Sequence, residues 1–223
     1  MIRLAVLASG RGSNLQAVLD AIDAGALDAR VAGVFSDRPE AQALQRARDA
    51  GIRAVGLRPR DFATRLDYDA ALFDAVDAAT PDLIVCAGYM RLIGEPALAA
   101  RAGRLVNIHP SLLPAFKGLH THRQALAAGA PVHGASVHFV TPELDGGPVI
   151  AQARVPVLAG DDERTLAARV LAREHPLLLA TLREFAAGRI AFNVGRVYRD
   201  AVPLARPLQM DDHGRLAPDA SDP

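Results

Sequence analysis

Apolar positions follow two rhythms along this chain. In the first half, short apolar runs alternate with stretches whose apolar residues recur every three or four positions. "IRLAVLAS" predicts a strand. "SNLQAVLDAIDAG" predicts a helix with Leu15, Val18, Leu19 and Ile22 on one face, Ser13 as N-cap, Gln16 as capping-box partner and Gly25 as stop. Strand "RVAGVFS", helix "EAQALQRARDAG", strand "IRAVGL", helix "YDAALFDAVDAA", strand "PDLIVCAG", a helix near "EPALAARAG" and strand "RLVNIH" follow. Strands alternating with helices of this length predict βαβ units and a parallel twisted sheet, with ligands beyond the strands' carboxyl ends.

After Pro110 the rhythm changes. "PSLLPAFKGLHTH" reads as a long loop closed by helix "HRQALAAGA". "HGASVHFVT" and "GPVIAQARVPV" alternate with period two around "PELDGG", which predicts an antiparallel hairpin. A long helix from Asp162 to Gly188 is expected to kink or split at Pro176, and "RIAFNVGRVYRD" reads as a last small hairpin. The predicted fold is therefore α/β, a Rossmann-like, mostly parallel sheet flanked by helices, with an antiparallel hairpin in the C-terminal half. One domain is expected over residues 1–200, and a tail over 201–223 rich in Pro and Asp is expected to fray.

Composition narrows the function. Acids and bases balance at 25 each, which argues against a nucleic-acid or membrane surface and for small-molecule partners. Lys117 is the one lysine, and the many arginines and alanines look like genome composition. Cys86, the one cysteine, lies in an apolar run and reads as a buried, inert thiol. No secretory leader pattern or apolar run of ~18 residues is seen, so the cytoplasm is expected.

Three stretches carry candidate chemistry. In "SGRGSN", Gly10 and Gly12 allow a tight turn, and the amides of Gly12, Ser13 and Asn14 become donors at a helix N-terminus, a phosphate cradle. A plain turn is the alternative. The Walker Gly-Lys-Ser/Thr is missing, and Leu15 replaces the third glycine of a dinucleotide fingerprint; Asp37 nevertheless stands where a ribose-binding acid would. In "NIHPSLLP", Asn107 and His109 point the same way at a strand's end, where Pro110 stops the ladder. In "TPELDGGP", Asp145 lies on a tight turn from which it could orient the His109 ring. His109, His120, His122, His133 and His138 fall within 30 residues, yet no metal-ligand spacing accompanies them, so no metal is expected; His120 and His122 are expected to flank a pocket or cap the next helix.

"LASGRGSNLQA", "NIHPSLLPAFKGLHTHRQAL", "GASVHFVTPELDGGPVI" and "AGDDERTLAARVLAREH" together resemble the phosphoribosylglycinamide formyltransferases, the folate-dependent formyl-transfer family of purine biosynthesis. The resemblance implies 10-formyltetrahydrofolate as cosubstrate, glycinamide ribonucleotide as acceptor, and no metal. It implies Asn107, His109 and Asp145 as catalytic residues, and Gly12, Ser13, Asn14 and Glu174 as holders of the ribonucleotide. It implies Arg65, Met90, Arg91, Leu92, Ile93, Asn107, Thr141, Pro142, Glu143, Leu144 and Asp145 as the folate site. Leu171, three before Glu174, replaces a polar residue of some members. Monomer and homodimer both stay open. So do a deformylase with a similar centre and an NAD-linked oxidoreductase built on "SGRGSN" and Asp37. A methionyl-tRNA formyltransferase would need a longer, basic C-terminal part.

Overall fold

The protein is described by a computed structural model covering residues 1–219. Two compact units divide it, the first spanning Met1–Asn107 and the second starting at Ile108.

The first unit follows the alternation of the sequence: β1 (Ile2–Leu7), α1 (Ser13–Asp23), β2 (Ala29–Ser36), α2 (Gln42–Asp49), β3 (Ala54–Gly56), α3 (Arg65–Asp77), β4 (Leu83–Cys86), α4 (Glu95–Ala99) and the start of β5 (Leu105–His109). Its strands lie in the order β5-β4-β1-β2-β3, and each pairs its neighbour in parallel. Leu4 to Leu7 and Leu83 to Cys86 are continuously buried, as strands covered on both faces by helices must be. Burial also pushes the Cys86 thiol up to about 12, so it stays a protonated, unreactive core group.

Two helix starts differ from expectation. Gly12, with φ 71°, is the N-cap of α1; Ser13 is its first helical residue and makes no capping bond. The Gln16 side chain turns outward instead, donating to Asp20 and accepting from Arg46. α3 begins at Arg65 rather than Tyr68, because Thr64 and Asp67 close a reciprocal capping box one turn earlier.

In the second unit β6 (Val132–Phe139) and β7 (Val149–Pro156) form the expected antiparallel hairpin, preceded by α5 (Thr121–Ala127) and followed by α6 (Glu163–Ala186). α6 runs unbroken through Pro176. Val170 lies buried before the proline and Leu177, Leu178 and Leu182 after it, so side-chain burial on both sides offsets the missing backbone donor. β8 (Ile190–Asn193), β9 (Arg196–Arg199) and β10 (Val202–Pro203) make a small antiparallel sheet, one strand more than the predicted hairpin.

The stretch after Pro203, expected to fray, instead adds β11 (Leu208–Met210) in parallel to β7, and β12 (Leu216–Ala217) antiparallel to β11. Leu208 is fully buried and Met210 nearly so. Residues 220–223, which the same expectation covered, lie outside the described residues. Across both units the paired strands make a mixed, mostly parallel set with helices between them, the predicted class.

The loop after β5 is fastened to this hairpin by buried polar groups. Ser136 Oγ donates to the Ser111 carbonyl at 2.7 Å and accepts from Leu113 N–H at 3.0 Å. Gln152 Nε2, from β7, donates to the Leu113 carbonyl at 2.9 Å and to Ser136 Oγ at 3.0 Å. Further along, His122 Nδ1 meets His133 Nε2 at 3.2 Å, with the Phe116 ring edge-on to His133. One ring must donate and the other accept, so at most one of the two can be protonated. Burial, with His122 and His109 adding to it, pushes His133 down to about 4.

Two outcomes are expected. Leu208→Ala should cost about 2–4 kcal/mol in denaturant unfolding, the penalty of a core leucine; a cost near zero would mean that β11 does not pack. His133 stays neutral in the fold while the unfolded chain takes up a proton below its ordinary 6.5. Stability is thus highest above pH 6.5, falls as the pH drops toward 4, and loses on the order of 3 kcal/mol to this group. Unfolding curves at pH 7 and pH 4.5, for the native chain and for His133→Gln, should show a smaller acid loss in the variant.

Candidate active site

The turn between β1 and α1 brings together the first group of residues. Gly12 sits so close to α2 that a Cβ there would lie 2.8 Å from the Ala43 Cβ and 2.9 Å from its Cα, and its φ is positive, so glycine is required twice over. Ala43 N–H donates to the Gly10 carbonyl at 3.1 Å, and Arg46 Nε donates to the Arg11 carbonyl at 2.8 Å, which lashes the turn to α2. The Ser13 and Asn14 amides belong to the first turn of α1, where N–H groups have no acceptor within the helix and the dipole favours an anion.

The segment after β4 lies beside this turn. Ser9 N–H donates to the Gly88 carbonyl at 3.0 Å, and Met90 N–H donates to Ser9 Oγ at 2.9 Å. Met90 and Leu92 are exposed, at 61% and 56%, although both are apolar. Arg91 is held back, its guanidinium 5.3 Å above the Tyr68 ring. Arg65 is exposed on the first turn of α3. Asp37 is buried, with Oδ1 lacking a hydrogen bond among the described residues. Asn107, half-buried, ends the unit on β5 beside Cys86 of β4.

The second unit gathers the ionisable residues. Two positions beyond Asn107 on the same strand, the His109 ring is buried, with Nδ1 3.5 Å from Asp145 Oδ2 and Nε2 3.2 Å from the Phe116 carbonyl. Both ring nitrogens therefore face acceptors, and only an imidazolium can donate toward both. Asp145 Oδ2 also accepts the Gly118 N–H at 2.9 Å, so the carboxylate ties the loop after β5 to the turn after β6. Its own backbone is left-handed, with φ 46°, a conformation that aspartate tolerates better than most residues. Gly147 lets that turn close: a Cβ there would lie 1.9 Å from the Phe139 carbonyl.

Around this centre, Glu143 binds Lys117 at 2.7 Å, Leu144 is half-exposed, and Thr141 and Pro142 lead into the turn. Glu174 is buried on α6, and Leu171 occupies the preceding turn of that helix. His120 is the N-cap of α5, but its side chain makes no capping bond, and His122 is committed to His133; neither caps through its ring.

Sequence reasoning counted His138 among the clustered histidines but did not pair it with Asp145. The His138 Nε2 stands 3.6 Å from Asp145 Oδ1, the carboxylate's other oxygen, and its ring lies edge-on to that of His109 with centroids 6.5 Å apart. Burial pushes its pKa down, and its Nδ1 donates to the Phe139 carbonyl at 2.9 Å, so this ring is neutral and the contact is no ion pair. Asp145 Oδ2 therefore takes its hydrogen bond from the Gly118 amide, with His109 Nδ1 3.5 Å from the same oxygen. Period-two alternation on β6 could have pointed to His138, since Ser136, another inward polar residue, lies two positions before it. Among the described residues, no three His, Cys, Asp or Glu side chains gather to hold a metal ion, and no helix is long and apolar enough to cross a membrane.

This geometry can be set against known proteins. Residues 2–182 match the formyl transferase family. The phosphoribosylglycinamide formyltransferase of Escherichia coli strain K12 is 48% identical over 91% of this chain and 96% of its own length. The solved structure of the phosphoribosylglycinamide formyltransferase of Coxiella burnetii superposes with a TM-score of 0.88 at 44% identity, covering 92% of this chain and 96% of that one. Glycinamide ribonucleotide transformylase 1 of Symbiobacterium toebii gives 0.86 at 49% identity, over 89% and 94%. A buried histidine braced by a carboxylate at the end of a parallel strand thus stands in a sequence matched almost from end to end, and the chain belongs to the formyl transferase family.

Proposed function

We propose that the protein transfers the formyl group of 10-formyltetrahydrofolate to the amine of N1-(5-phospho-D-ribosyl)glycinamide, releasing tetrahydrofolate and the N-formyl product, a step of purine biosynthesis in the cytoplasm. The observation that carries this reading is the buried His109 ring, with Asp145 at Nδ1 and Asn107 two positions back on β5. Membership of the formyl transferase family and the named activity of its full-length relatives support it. The unbroken family match also supports one formyltransferase domain over residues 1–200.

In this mechanism the substrate amine attacks the formyl carbon directly, so the enzyme supplies no nucleophile. A C–N bond forms, the carbonyl π electrons move to oxygen, and the tetrahedral centre carries an oxyanion. The Asn107 amide and the His109 imidazolium donate to that oxygen as its charge develops. The formyl oxygen replaces the Phe116 carbonyl at Nε2. The amine nitrogen then passes its proton to a water, the bond to N10 breaks, N10 takes a proton from His109 as tetrahydrofolate leaves, and that water returns the proton to His109. Asp145 keeps the imidazolium charged and oriented. Gly12, Ser13 and Asn14 hold the 5′-phosphate at the N-terminus of α1, and Glu174 holds the ribonucleotide. Met90 to Ile93 and Thr141 to Asp145 line the folate site, with Arg65 toward the glutamate tail.

His109→Ala and Asp145→Asn should each lower kcat/KM for formyl transfer by roughly 10²–10⁴, measured on variant protein whose circular dichroism at the assay temperature matches the native fold. Near-native rates would refute the mechanism, and tetrahydrofolate release without the ribonucleotide would indicate a deformylase. Gly12→Val should act mainly on KM for the ribonucleotide, because its side chain must displace the turn from Ala43; an unchanged KM would remove the phosphate assignment.

A further inference from the structure

The second unit contains a cavity of about 660 Å³, of whose lining the formyl-transfer reading uses Asp145 alone. Leu113, Pro114 and Val149 line one side, and Val197, Leu204 and Pro207 another. Its volume suits a small organic molecule, and these side chains form an apolar lining for one. Three cations also line it, Lys117, Arg196 and Arg206, against one acid, Asp145. Lys117 is engaged by Glu143 and Asp145 by the Gly118 amide and His109. Arg196 and Arg206 carry no side-chain hydrogen bond or ion pair among the described residues, so two uncompensated guanidinium groups belong to one concave surface.

This wall is built, not draped. Arg199, three positions from Arg196 on β9, donates through Nε to the buried Glu184 at 2.9 Å. Fully buried Leu208, two positions beyond Arg206, pairs with Ala151 of β7. Both arginines also lie beyond residue 182, where the family match ends.

We propose that this cavity binds an organic oxyanion, a phosphate monoester or carboxylate on an apolar body, with Arg196 and Arg206 gripping the anionic group. Guanidinium forks match such oxygens two at a time, and the apolar walls cover the rest of the molecule. Because Asp145 is shared with the formyl site, an occupant would adjoin the turn that carries Glu143 and Asp145.

1-Naphthyl phosphate titrated into the purified protein in a calorimeter tests this without any turnover. Saturable binding is expected, weakened at least about tenfold in the double variant Arg196→Ala/Arg206→Ala and retained in Gly12→Val. Both arginines are exposed, so the double variant should unfold at the native temperature. Equal affinity in the double variant, loss of binding in Gly12→Val instead, or no saturable binding at all would each overturn the proposal.

Discussion

The contact between the Asp145 carboxylate and the His109 ring is the constraint on which the second unit turns. A buried carboxylate needs partners, and this one takes the Gly118 amide as donor and lies 3.5 Å from the imidazole at the end of β5. Meeting that need demands a left-handed backbone at Asp145 and a glycine at position 147, where the chain passes against the Phe139 carbonyl. It also demands that the loop after β5 be brought to the hairpin and kept there. Ser136 and Gln152 do so from the strands themselves, with every bond buried, so that losing one would leave a backbone group unsatisfied in the core.

The first unit reaches its geometry by backbone proximity rather than buried charge. Ala43 is small enough to let Gly12 approach α2, and Arg46 spans from α2 to both the Arg11 carbonyl and Gln16. The turn is therefore set before any ligand arrives, and the first amides of α1 are aimed by the helix they begin. Ser9 links that turn to Met90, so the end of β1 and the exposed apolar segment after β4 are positioned together.

His133 and His138 are buried with their pKa values pushed down, whereas His109 faces acceptors at both nitrogens. The sequence shows five histidines in a short span and offers Asp145 to His109, but not that His138 reaches the same carboxylate. Burial and the direction of each ring decide that, and both come from packing.

Much of the fold was legible in the chain because its causes are local. Strand runs such as "LIVC" and helical stripes such as Leu15, Val18 and Leu19 express periodicity alone, and the βα alternation follows from them. Asn107 and His109 could be placed on one strand end for the same reason, and Asp145 on a turn from its glycines. What failed was decided at a distance. Ser13 looked like a cap until the approach of Ala43 put Gly12 there; Pro176 looked like a break until buried leucines carried α6 through it. The polar segment after Pro203 looked loose because its stability comes from pairing with β7, some fifty residues earlier. Sequence by itself determined which elements form and which side chains could do chemistry, since dihedral preference and amphipathic period reside in neighbouring residues. Only the tertiary structure decided which of those side chains meet, because burial and hydrogen-bond partners are properties of residues brought together from far along the chain.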